Sequence, residues 1–215
     1  MRLSKWDGVS ILSLACASMM TIAVFDRLPD PIPTHFDLHG TPNGWMPRAI
    51  GAWFAPVFGL ALYLFVRFAP RVLPSAEKKR LSEGQVALVA SLTTLFLVAV
   101  HGLILYVAVV PGASLIRPIW LLLGAFFIAL GLILPRIKRN AFVGIRTAWT
   151  LTSDENWARS NRIGGYSMVL GGIGAAAAGI LGGAAGGVVA IAFLLVSAFV
   201  PAIYSLVLAR RSNQG

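Results

Sequence analysis

Six long apolar runs alternate with shorter polar stretches along the chain, at approximately 9–25, 50–68, 85–110, 119–134, 165–181 and 188–208. A helix needs roughly 20 residues to cross a hydrocarbon core of about 30 Å. Each run therefore predicts a transmembrane helix. The first is short unless it begins near Trp6, the fourth is bounded by Pro118 and Pro135, and Gly and Ala dominate the fifth. The expected fold is all-α, a polytopic integral membrane protein with six transmembrane helices. The "LSLAC" ending at Cys16 has Ser13 where a lipoprotein box wants a bulky aliphatic residue, and the apolar run continues to Phe25. It reads as a retained anchor helix, with Cys16 as a packing residue.

Composition agrees with the pattern. The 215 residues are 57% hydrophobic and 12% charged, with a mean hydropathy of +0.79, whereas soluble domains carry about 25% charged residues. The net charge of +10 is too thinly spread for a groove that binds nucleic acid directly, so it reports orientation instead. With the N-terminus inside, the inner segments hold Arg2 and Lys5; Arg67, Arg71, Lys78, Lys79 and Arg80; Arg136, Lys138, Arg139, Arg146, Arg159 and Arg162; and Arg210 and Arg211. Only Arg27, Arg48 and Arg117 fall outside. Both termini are expected in the cytoplasm. The chain then divides into an N-terminal membrane domain over 1–70 with an ordered outer loop at 26–48, a cytoplasmic linker over 71–84, and a second membrane domain over 85–215 with a cytoplasmic loop at 136–162.

The outer loop reads "DRLPDPIPTHFDLHGTPNGWMPR". Pro29, Pro31 and Pro33 favour an extended, polyproline-like entry, and "HG", "TPNG" and Pro47 mark turns. Trp45 suits a membrane interface. His35, Asp37 and His39 alternate, so an extended backbone would set all three on one face, where they form a weak candidate for a divalent metal. With no fourth ligand and no nearby Glu base, turn-stabilising and partner-contacting roles stand beside that reading, and no cofactor is expected.

The spans themselves hold almost no ionisable groups. His101 is the exception, and a neutral imidazole hydrogen-bonded between helices stands against a proton or ligand role. Ser91, Thr93 and Thr94 can bond backbone carbonyls of their own helix. No nucleophile elbow, His-Glu-x-x-His pair or phosphate-binding loop occurs, so catalysis is not expected. Gly171, Ala175, Gly179, Gly183 and Gly187 follow a four-residue step and predict close helix packing, against the sixth helix or against a second copy in a homo-oligomer. "GGAAGG", residues 182–187, reads as the outer turn between the last two helices, and Pro201 as a kink.

The cytoplasmic loop contains "TSDE", which predicts a capping box with Thr152 as cap and Glu155 reaching back. Asp154 and Glu155 suit a helix start, Glu155 and Arg159 are one turn apart, and Trp157 shares a face with Asn161. The expected helix runs from Ser153 through Arg162, with Gly164 and Gly165 permitting a bend before the fifth span.

The stretch "NAFVGIRTAWTLTSDENWARSNRIGG" resembles the signature of the SdpI family of bacterial membrane proteins. Asn140, Gly144, Arg146, Thr147, Trp149, Thr150, Glu155, Trp157, Asn161, Arg162 and Gly165 carry the match. "LPDPIPTHFDLHGTPNGW" is similar to the domain of unknown function that often precedes the SdpI domain, through Pro31, Pro33, His35, Gly40 and Trp45. Ala148 stands where the family often has proline, which predicts a looser turn before Trp149, and Asp37 stands where Asn is common. The resemblance implies a bacterial cytoplasmic-membrane protein giving immunity to a secreted peptide toxin and relaying its presence to a soluble DNA-binding repressor. Outer loops would meet toxin. Arg146, Thr147, Trp149, Glu155, Trp157 and Arg162 would form the cytoplasmic functional surface, against the plainer reading that they fold the loop and bind membrane lipids. A transporter or channel for a peptide, ion or small solute is the alternative through His101, and a membrane metallohydrolase through His35, Asp37 and His39 comes third.

Overall fold

The computed structural model describes residues 4–69, 82–140 and 142–212. Its elements run α1 (Lys5–Val24), β1 (Ile32–Phe36), β2 (Pro42–Met46), α2 (Arg48–Phe68), α3 (Glu83–Val109), α4 (Ile116–Ile133), α5 (Ala148–Thr152), α6 (Asp154–Leu181) and α7 (Gly183–Ser212). All of these helices except the five-residue α5 are long and apolar enough to cross a membrane. Large side chains such as Leu12, Phe65, Leu170 and Phe199 stand exposed along them, which suits contact with lipid rather than water. The chain is a multi-pass membrane protein.

Several helices begin earlier than their apolar runs. Ser4 caps α1 in a capping box with Asp7, and Ser82 accepts from the Gln85 amide at the start of α3. Of the expected linker, residues 71–81 lie outside the described residues, as do Arg2, Arg71, Lys78, Lys79 and Arg80; Ser82 precedes α3 as its cap, and Glu83 and Gly84 lie in its first turn. The expected turn at 182–187 is only Gly182 and Gly183, both at positive φ, and α7 starts at Gly183 itself. Gly183 and Gly187 therefore do not extend the α6 stripe.

Helix α3 packs against α1 and α2, while α6 lies between α4 and α7. Both faces of α6 are built from small residues. A Cβ on Gly171 would come within 2.5 Å of Ser197 Cβ on α7, and one on Gly172 within 2.6 Å of the Gly124 carbonyl oxygen on α4. Gly165 meets Gly131 of α4 in the same way, and Gly179 meets Trp120. Gly165, Gly172 and Gly179 repeat every seven residues, close to two helical turns, so one stripe faces α4. The expectation of packing with the last helix is thus half of the arrangement. Gly164 and Gly165 sit inside an unbroken helix, packed on Leu134, Ile145 and Pro135, so the helix expected over 153–162 is the first part of the span itself and not a separate element before a bend.

Two prolines interrupt the helix ladders, and in both cases a neighbouring helix repairs the loss. Pro56 in α2 has no N–H to offer the Ala52 carbonyl. Thr21 of α1 donates to that oxygen at 3.0 Å. With its one proton committed, the hydroxyl accepts from His101 Nε2, 2.8 Å away on α3, so the imidazole joins three helices. Pro201 in α7 likewise frees the Ser197 carbonyl, and Ser167 Oγ of α6 lies 2.9 Å from it. Thr21→Val is expected to cost about 1–2 kcal/mol by stranding the carbonyl, and Pro56→Ala in the same chain to restore most of it. Equal losses in both backgrounds, measured by thermal melting in detergent, would refute this account.

The spans are also less free of charge than their sequence suggests. Asp7 and Arg67 form a buried ion pair at 2.8 Å, and Tyr63 donates to the same carboxylate at 2.9 Å.

The outer loop departs from the all-α expectation. Its strands pair antiparallel with Ile32 opposite Met46, Pro33 opposite Trp45 and Phe36 opposite Pro42. Ile32 is buried with Leu28, Ala52 and Leu105, and Leu38 packs on the Trp120 cluster of α4, α6 and α7. The hairpin thus lies across one end of the bundle, anchored on both halves.

Candidate functional site

At the opposite, basic end, the segment following α4 folds into a compact knot. Asn140 is buried and uses its whole amide. Its Nδ2 donates to the carbonyls of Lys138 and Val143, and its Oδ1 accepts from the amides of Phe142 and Val143. That satisfies four hydrogen-bonding valences with one side chain. The chain next passes Gly144 at φ +130°. A Cβ there would stand 2.7 Å from the Trp157 ring and 2.8 Å from Asn161 Oδ1, so both backbone conformation and close approach demand glycine.

Trp157 and Asn161 clamp this loop to α6. Trp157 Nε1 donates to the Ile137 carbonyl at 2.8 Å, and its ring packs with Leu134, Ile137, Val143 and Ile145. Asn161 accepts from the Ile145 amide at 2.9 Å and donates to the Trp157 carbonyl. Gly165 fits against Pro135.

Capping differs from the expectation in register. Thr147 and Thr150 form a reciprocal capping box around α5, so Ala148 begins a helix and the turn before Trp149 is held rather than loose. Thr150 also donates to the Ile145 carbonyl. Thr152 closes α5, its hydroxyl turned back to Ala148 and Trp149, and Ser153 is the cap of α6 through the Asn156 amide. Glu155 does not reach back; it pairs with Arg159 at 2.9 Å. Asp154 pairs with Arg139.

Ser205 of α7 completes the knot. Thr147 Oγ1 lies 3.0 Å from its hydroxyl, and Asn156 Nδ2 donates to its carbonyl at 2.9 Å. Ser160 supports Asn156 from below. Sequence reading missed Asn156, Ser160 and Ser205, because nothing in a linear pattern says which small polar residues meet across 49 positions.

The motif residues therefore divide. Asn140, Thr150, Trp157 and Asn161 are buried, and with Gly144, Thr147 and Gly165 they build the knot. Arg146, Trp149, Glu155 and Arg162 are exposed. Trp157, expected on the functional surface, belongs to the interior. A cavity of about 230 Å³ lies between Trp149, Glu155 and Leu208 of α7.

The hairpin end does not form the expected histidine face. Strand β1 ends at Phe36 with irregular pairing around His35, and the chain then turns. Asp37 Oδ1 accepts from the His39 and Thr41 amides at 2.8 and 2.9 Å. The Thr41 amide, with that of His39, holds this exposed carboxyl below the usual carboxylate range. His35 bonds Asn43 instead, and His39 is exposed. Among the described residues, no three His, Cys, Asp or Glu side chains come together as a metal site. Gly40, at φ +83° and against Ile116, and Gly44, against His35, are fixed by close approach. Pro31 precedes β1, Pro33 faces Trp45 across the hairpin, and Trp45 is exposed.

Residues 136–205 match the SdpI/YfhL protein family. Over that stretch, about a third of its length, the chain is similar to this family. Residues 12–60 match the domain of unknown function DUF1648. The SdpI/YfhL match begins at Arg136, where the knot begins, and ends at Ser205, the residue that ties the knot to α7. The DUF1648 match takes in most of α1, the whole hairpin and the first half of α2. No curated protein and no solved structure matches the chain.

Proposed function

We propose that this chain is a non-enzymatic immunity protein of the bacterial cytoplasmic membrane, protecting against a secreted antimicrobial peptide and relaying its presence to a cytosolic repressor. Its hairpin faces outward and its knot faces the cytoplasm, an orientation supported by the distribution of basic residues. The N-terminal domain over 1–70 and the second domain over 85–215 act as two membrane domains that meet where α3 packs on α1 and α2.

One observation carries the reading. Helix α6 is a single 28-residue element whose far end packs beneath the hairpin tip through Ala175 and Ala178 and whose near end holds the knot through Asn156, Trp157 and Asn161. A peptide bound at the hairpin thus has a rigid connection to the opposite face of the membrane. Arg146, Trp149, Glu155 and Arg162 are the cytoplasmic contact surface in this proposal. The transporter alternative drew on His101, whose imidazole is engaged by Thr21.

The test is expression in toxin-sensitive cells challenged with a panel of secreted antimicrobial peptides. Survival is expected with the parent chain, and Arg146→Ala with Trp149→Ala is expected to abolish relay to the repressor at normal protein level. No survival across the panel sinks the immunity reading, and unchanged relay by the double variant removes the surface from it.

A further inference from the structure

A cavity of about 500 Å³ opens at the hairpin end, walled by Leu38 and His39 of the turn, Ser114 and Arg117 at the start of α4, and Leu181 and Gly182 where α6 passes into α7. Nothing in the hairpin or the knot uses it. Arg117 is exposed, and its guanidinium rests over Gly182, where a Cβ would lie 3.9 Å from Nε and Nη2. Among the described residues no carboxylate is within ion-pair distance of Arg117; the three ion pairs are Asp7–Arg67, Arg139–Asp154 and Glu155–Arg159. Asp37, the nearby acid of the turn, directs Oδ1 to the amides of His39 and Thr41 and forms no part of the wall.

The chemistry of this wall is that of an anion site at a membrane boundary. Arg117 offers a planar fork of donors that matches a phosphate bidentately. Ser114 Oγ accepts from the Ile116 amide, which leaves its proton to donate, and the exposed His39 supplies another ring N–H. Beside this polar floor, Leu181 is 84% exposed at the rim. A cation and a hydroxyl within, and aliphatic surface at the lip, fit a ligand that carries its phosphate on an apolar body. We propose that the cavity is a phosphate site holding the headgroup of a phospholipid from the adjoining leaflet, with Arg117 as principal ligand and His39 and Ser114 as further donors. The occupied cavity would fasten the hairpin turn to the ends of α4 and α7.

Native mass spectrometry of the delipidated full chain in detergent tests this, with titrations of phosphatidylglycerol, of phosphate-free diacylglycerol and of inorganic phosphate. Parent protein is expected to bind phosphatidylglycerol and not diacylglycerol. Arg117→Gln is expected to weaken binding about tenfold, as Arg–phosphate contacts are charge-assisted, and His39→Ala to weaken it less. Arg27→Gln, on the same side but outside the cavity, is the control and should bind as the parent does. Equal binding by Arg117→Gln and the parent, or diacylglycerol bound as tightly as phosphatidylglycerol, overturns the proposal. Displacement of lipid by millimolar inorganic phosphate overturns the lipid assignment in favour of the free ion.

Discussion

Asp7→Asn is expected to lower the melting temperature of the purified protein by roughly 10 °C. Asp7 and Arg67 are almost fully buried, and the carboxylate accepts from Arg67 Nε at 2.8 Å, Tyr63 Oη at 2.9 Å and the Ser4 amide at 2.7 Å. Neutralising the carboxylate leaves the guanidinium charged and buried beside a polar but uncharged group. Breaking one side of such a pair costs about 3–5 kcal/mol, and for a chain of this length each kcal/mol corresponds to about 2–4 °C. Removing both charges is a different matter, because an apolar pair of similar volume needs no desolvation of ions. Asp7→Leu with Arg67→Met should therefore recover more than half of the loss. A single variant melting within roughly 2 °C of the parent would show that the pair does not hold α1 to α2.

Gly172→Val is the second large effect. The Gly172 position faces the Gly124 carbonyl oxygen at 2.6 Å from a would-be Cβ, and Gly124 faces the Gly172 carbonyl equally closely. Backbone opposes backbone here, so no flexible side chain can yield. Overpacking ordinarily costs about 1–3 kcal/mol, occasionally more, and this contact belongs at the upper end because α4 would have to withdraw from the whole stripe. The expected result is a folded yield well below that of the parent and dissociation of α4 from α6, read as new accessibility of a cysteine introduced in place of Ile128, whose side chain on α4 faces Gly172. Gly8, with nothing within 4 Å of a Cβ, is the contrast: Gly8→Ala should be neutral or stabilising by up to about 1 kcal/mol. Parent-like yield and shielding in Gly172→Val would show that the stripe tolerates separation.

Helix existence was legible because a segment in hydrocarbon must be apolar almost throughout, and each of the six runs became a helix. Helix starts were less legible. Ser4, Ser82 and Ser153 cap helices that begin in polar sequence beyond the hydrocarbon, where hydropathy carries no signal. The hairpin was hidden because Pro33, Pro42 and Gly44 are poor strand residues; tertiary anchoring of Ile32 and Leu38 overrides that weakness. The Asp7–Arg67 pair joins residues from opposite ends of two helices, which no local pattern records. Within the candidate site, the family signature marked the right stretch, yet it could not divide Trp157, which builds the interior, from Trp149, which faces out. Likewise the four-residue glycine step drew attention from the seven-residue one, although the latter is the stripe that faces α4.

The proline repairs bear on how this sequence can drift. Thr21 is needed because Pro56 is there, and Ser167 because Pro201 is there, although each pair sits on different helices and far apart along the chain. A lineage that exchanges Pro56 for a residue with an amide proton relaxes the constraint on Thr21 and, through it, on His101. The opposite order is unfavourable, since losing the hydroxyl first strands a carbonyl in hydrocarbon. Substitutions along these helices should therefore arrive in a preferred sequence, proline before hydroxyl, and the three positions on α1, α2 and α3 should vary as one unit.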